Sequence, residues 1–169
     1  METIQNNIKK KTYRKLGFTA LETVEIVEPM NELLANYNVH YQKLRNFHWN
    51  VTGRDFFDLH GKFEEMYDEA KLDIDAVAER VRVFGQNPVS TMKDYLEMSE
   101  IKEIETRLTG VQMVEESLKD MQVLLGHMVA VTDAAINMGD VGTEYMINIM
   151  INKMETTHWM LTAWMNNGK

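Results

Sequence analysis

Apolar residues recur at steps of three and four along four long stretches, the pattern of helices that bury one face. The first runs from about Thr19 to Asn50, with Leu34, Tyr37, Tyr41, Leu44 and His48 on one face. Val51-Thr52-Gly53 ends it. The second runs from about Asp55, a predicted N-cap, to Phe84, and Gly85 and Pro88 stop it. Its stripe is Phe56, Phe63, Tyr67, Ala70, Ile74, Val77 and Val81. The third spans about Val111 to Asn137, between Gly110 and an "NMGD" break. The fourth spans about Thr143 to Asn166, with Met146, Ile149, Met150, Lys153 and Met154 along one face. Between the second and third, Ser90-Thr91 caps a short helix over Met92–Met98. No stretch reads as a strand. The fold class is therefore all-α: a four-helix bundle with a tight first hairpin and a long crossover that holds a short helix.

Composition narrows this. With 169 residues, 44% hydrophobic and 26% charged, the chain suits one globular domain with a real core. The 14 methionines read as core filler. Cysteine is absent, which excludes disulfides, thiolate metal sites and a catalytic cysteine, and fits the cytoplasm. The polar N-terminus predicts no secretory leader, and no apolar run approaches the length of a membrane span.

The net charge of −8 argues against a body that binds nucleic acid by its general surface. The charge is uneven, however. Lys9, Lys10, Lys11, Arg14 and Lys15 face Glu2 alone in the first twenty residues, which leaves −12 on the remainder. Residues 1–18 thus read as a basic tail and 19–169 as the bundle. The tail is a candidate DNA contact; a solubilising arm is the other reading.

The candidate chemistry lies in "FHWNVTGRDFFDLHGKFEE" and in the rest of the second helix. With residue 60 at 0° and about 100° per residue, Glu64 falls near 40°, Asp75 near 60° and Glu79 near 100°. The apolar stripe lies elsewhere, with Phe63 and Val81 near −60°. His60, Glu64, Asp75 and Glu79 therefore share one shoulder of the second helix. His48, on the inward face of the first, is brought towards it by the hairpin. Imidazole and carboxylate together suit iron, manganese or zinc, and oxygen-rich open sites favour iron. Taken singly, each acid pair is an ordinary solvated helix face, and each histidine an ordinary polar residue. His40, His127 and His158 carry no such pattern. His60 and Asp75 stand fifteen residues apart, about 22 Å along a straight helix. Metal–ligand bonds are roughly 2 Å. Either one cluster alone binds metal, or two subunits pair these helices antiparallel about a two-fold axis.

The stretch "NFHWNVTGRDFFDLHGKFEEMYDEAKLDIDAVAERVRVFGQNP" closely resembles the Dps family of ferritin-like miniferritins. The resemblance covers about Thr19 to Trp164, including the crossover helix. It implies a hollow homo-dodecamer that oxidises Fe(II), preferring hydrogen peroxide to oxygen, and stores ferric mineral. It implies a di-iron site shared at a two-fold interface: His48, His60 and Glu64 from one subunit, Asp75 and Glu79 from the other. Glu64 is commonly aspartate in relatives. Trp49 resembles the family's tryptophan beside the iron, a candidate electron donor, with plain packing as the alternative. Asp140 and Glu144 resemble the acids of the family's three-fold pores; helix capping is the alternative. DNA compaction through the tail, with metal binding secondary, is the competing function.

Overall fold

The computed structural model describes residues 20–104 and 107–166. Among the described residues five helices follow in order: α1 Ala20–Asn50, α2 Phe56–Val83, α3 Met92–Met98, α4 Gly110–Met138 and α5 Val141–Met165. No strand occurs among the described residues, and no described helix is long and apolar enough to cross a membrane. The basic tail, Lys9 to Lys15, lies outside the described residues.

Helix α1 is the central element, in contact with α2, α3 and α4, while α4 pairs with α5. The α1–α2 hairpin turns at Gly53, whose φ of 104° is a conformation that L side chains rarely adopt. Asp55 does not cap α2: its side chain makes no cap hydrogen bond. The turn is closed by backbone instead, with the Phe56 N–H donating to the Gly53 carbonyl at 3.3 Å. Helix α4 starts at Gly110 because Thr109 and Gln112 form a reciprocal capping box. A Cβ at Gly110 would lie 2.7 Å from Leu59 Cδ1, so a side chain there would require Leu59 to shift. The α4 start is thereby pressed against the first turn of α2. Asp140 accepts from the Gly142 N–H and sets the start of α5 at Val141. Thr109→Ala is expected to cost about 1 kcal/mol, measured by denaturant unfolding at fixed protein concentration.

The core holds the predicted stripes of α1 and α2, but on α5 Ile149 and Lys153 are exposed and Ile147 and Leu161 are buried beside Met150. Leu34, Tyr37 and Leu44 of α1 are buried with Phe63, Ala70, Val77 and Val81 of α2. Phe47 and Phe63 meet with centroids 5.6 Å apart beneath the hairpin. Met30, Met66, Met113, Met121, Met128 and Met150 are buried, as a flexible filler would be.

The centre of the bundle is nonetheless polar. Tyr37, 1% exposed, donates to the Asp73 carboxylate at 2.9 Å. Burial lifts the Asp73 carboxyl above its ordinary value and, with the Asp73 charge beside it, lifts the Tyr37 phenol well above its own. One helical turn further along α1, Asp120 of α4 bonds His40 Nδ1 at 3.1 Å and Lys43 Nζ at 2.8 Å. A cavity of about 30 Å³ lies among Tyr37, His40, Met66, Asp73, Met121 and Met150. The crossover is anchored by Asn36, whose Oδ1 accepts from Ser99 Oγ and from the Glu100 and Ile101 N–H groups at 3.0–3.1 Å.

Candidate metal centre

The hairpin brings His48, at the end of α1, against His60, in the second turn of α2. Their rings stack with centroids 3.8 Å apart. Each Nδ1 lies against the other residue's carbonyl, His48 Nδ1 at 2.8 Å from the His60 oxygen and His60 Nδ1 at 2.9 Å from the His48 oxygen. A carbonyl only accepts, so each Nδ1 carries the proton. Each Nε2 is left as the metal-binding lone pair. The pairing thus fixes tautomer and ring orientation together.

Among the described residues, ligand atoms of His48, His60 and Glu64 lie within 4.8 Å of one another, a grouping that fits a metal ion. His48 is buried, His60 half-buried and Glu64 exposed, so the site is walled on the protein side and open on the other. Phe56 stacks on the far face of His60 at 5.0 Å. Tyr67 sets its ring edge-on to His48 at 5.4 Å and donates to Glu64 Oε1 at 3.4 Å. Burial and the Glu64 charge raise the Tyr67 phenol above its ordinary value. Apolar spacing alone reads Phe56 and Tyr67 as core stripe. Their offsets of −4 and +7 from His60 place them on the same side of α2, which is the signal for both contacts.

Asp75 and Glu79 are exposed further along α2, and the protomer does not bring them to the histidines. Trp49, 59% exposed, lies under the Arg45 guanidinium at 4.8 Å. Asp140 is 2% exposed. Arg80 Nη2 donates to both its carboxylate oxygens at 2.7 and 2.8 Å, and Thr143 Oγ1 donates to it as well. Within the protomer Asp140 therefore caps α5 and holds Arg80, and the half-buried Glu144 is the more open of the two expected pore acids.

A ferritin-like domain model matches residues 27–169. DNA protection during starvation protein 2 of Bacillus anthracis is 39% identical over 142 residues, 84% of this chain and 97% of its own. The Dps protein of Vibrio cholerae O1, a member of a broad superfamily of ferritin-like diiron-carboxylate proteins, matches with a TM-score of 0.86. It is 33% identical, with 89% of this chain and 94% of that one covered. The chain belongs to the Dps family. A further Dps protein, from Bacillus brevis, matches with a TM-score of 0.84 at 36% identity, over 88% of this chain and all of that one. In this Dps chain the two-histidine clasp and Glu64 gather two imidazoles and one carboxylate, donors that fit iron.

Proposed function

We propose that this Dps protein is a ferroxidase and iron store: it oxidises Fe(II), with hydrogen peroxide or oxygen, and holds the ferric product inside a homo-dodecamer. The single observation that carries the reading is the His48–His60–Glu64 cluster, with both Nε2 lone pairs directed by the hairpin's own hydrogen bonds.

The remaining ligands are Asp75 and Glu79 of a second subunit. The pair His60 and Glu79 and the pair Glu64 and Asp75 share one midpoint, between Glu69 and Ala70. A single two-fold axis through that midpoint, with the α2 helices antiparallel, sets each histidine–glutamate half against the other subunit's acids and makes two equal sites. The face that would be covered is already apolar in part. Phe57 and Leu72, 86% and 69% exposed, share the shoulder with the acids.

Fe(II) is the substrate at this site. Two ions side by side can each give one electron to one peroxide, which leaves as two waters with two added protons. The carboxylates offset the charge that rises as iron is oxidised, and the histidines fix where it sits. Trp49 stands beside the site as an electron donor. Iron is admitted at the start of α5, where Glu144 and, behind it, Asp140 attract cations. Anaerobic Fe(II) titration of the assembled protein, followed by peroxide, tests the reading. Two Fe(II) oxidised per site and per peroxide is the expected result; oxidation no faster than in buffer would overturn it.

A second reading has one observation behind it. The tail sets five basic residues against one acid, and the relatives' names include DNA protection. Deleting residues 1–15 is expected to abolish any DNA gel shift at low salt and leave iron oxidation unchanged. Retardation by the truncated protein would place DNA binding on the bundle instead.

A further inference from the structure

Three tyrosines run inward from the metal centre. Tyr67 sits edge-on to His48 at 5.4 Å, and Tyr41 edge-on to Tyr67 at 6.1 Å. Tyr37 follows Tyr41 by one turn of α1, a spacing that makes side chains neighbours at about 5–6 Å between Cβ atoms. The series stops at Tyr37. It is enclosed by the bundle, and its hydroxyl is held against the Asp73 carboxylate at 2.9 Å. Asp73 is the feature without a structural need, since a phenylalanine and an apolar residue would fill this space more cheaply than a buried acid.

We infer that Tyr37, with Asp73 as its proton acceptor, is a redox site that supplies an electron to the metal centre through Tyr41 and Tyr67. The inference rests on the ferroxidase reading. It addresses the turnover in which only one Fe(II) is bound when peroxide arrives. One electron then comes from iron, and a second is required to avoid releasing hydroxyl radical. Tyr37 gives it. The O–O bond breaks, and both oxygens leave as water with the peroxide's own two protons and two from solvent. Iron is oxidised by one electron, Tyr37 becomes a neutral tyrosyl radical, and its phenolic proton moves along the existing hydrogen bond to Asp73.

The surroundings favour Tyr37 as the resting place of the oxidising equivalent. The Arg45 guanidinium lies over both Tyr41, at 5.3 Å, and Trp49, at 4.8 Å. Its positive charge disfavours a lasting electron hole on either ring, so each can pass an electron but neither is where the hole rests. Tyr37 has no cation over its ring among the described residues and has a carboxylate in hydrogen-bond contact. Its phenol is held neutral by burial and by the nearby negative charge, so losing an electron and losing a proton are coupled there.

The test uses full-length assembled protein given fewer Fe(II) ions than centres, then excess hydrogen peroxide, with freeze-quench electron paramagnetic resonance. A tyrosyl signal is expected in the wild type and its loss in Tyr37→Phe. Tyr41→Phe, at a half-buried position, should lower its yield. Asp73→Asn, close in shape but a poor base, should shorten its lifetime. The same preparations with both iron positions filled should oxidise Fe(II) at the wild-type rate in Tyr37→Phe and Tyr41→Phe. A tyrosyl signal of undiminished yield in Tyr37→Phe overturns the relay, as does an undiminished yield in Tyr41→Phe if the first variant fails to assemble. Normal iron oxidation with no tyrosyl signal overturns the relay alone. Failure of the wild type to oxidise iron removes the ferroxidase reading, and the relay with it.

Discussion

Two inactive proteins, mixed and reassembled, are expected to recover about a quarter of wild-type ferroxidase sites. One carries His48→Ala and His60→Ala; the other carries Asp75→Ala and Glu79→Ala. Each alone lacks half of every ligand set and should show no fast Fe(II) oxidation. In a mixed two-fold pair, one site keeps only Glu64 of its ligands and the other is complete. Random pairing makes about half of the pairs mixed, and each then has one working site of two. Stopped-flow absorbance of ferric species measures the rate, and native mass spectrometry proves the mixing. Wild-type rates in either parent would refute the ligand assignment. Dead mixtures with proven mixed pairs would place the site within one chain.

Loss of the Asp120 carboxylate should be the most damaging single change to the fold. Asp120 is 7% exposed at its side chain and holds Lys43 Nζ, itself 4% exposed, at 2.8 Å. It also holds His40 Nδ1 at 3.1 Å. Asp120→Ala leaves the ammonium buried without its close partner, and breaking such a pair typically costs about 3–5 kcal/mol. A whole domain is typically stable by about 5–15 kcal/mol. Asp120→Asn retains a hydrogen-bond acceptor and should lose less. Urea unfolding at one protein concentration measures both. A loss under about 1 kcal/mol for the alanine variant would show that Glu116, 3.8 Å from Lys43, takes over the ammonium.

These two experiments touch what was and was not legible in the amino-acid order. Four long helices follow from apolar spacing, because a helix that buries one face must repeat at 3.6 residues, and the short one over Met92–Met98 follows from its cap at Thr91. The ends moved where caps decide them. Thr109 and Gln112 draw Gly110 into α4, and Asp140 starts α5 two residues before the expected Thr143. Asp55 has the right residue type for a cap, yet the backbone turn at Gly53 does its work. His48, His60 and Glu64 were legible because hairpin and helical spacing bring them together locally.

The polar centre was not legible. Asp73 and Asp120 sit inside, but a charged residue in a helical pattern reads as surface unless its partner is known. Those partners, Tyr37 and Lys43, lie 36 and 77 residues away in the chain. Arg80 and Asp140, 60 residues apart, escaped for the same reason. The cap that Asp140 makes with the Gly142 N–H was legible from its place at a helix start, whereas its pairing with Arg80 was not.

The exchange of Nδ1–H bonds between His48 and His60 separates two properties that histidine sites often merge. The bonds that hold the hairpin use Nδ1 of each ring, and Nε2 takes no part in them. The latch between α1 and α2 therefore does not depend on what occupies either Nε2.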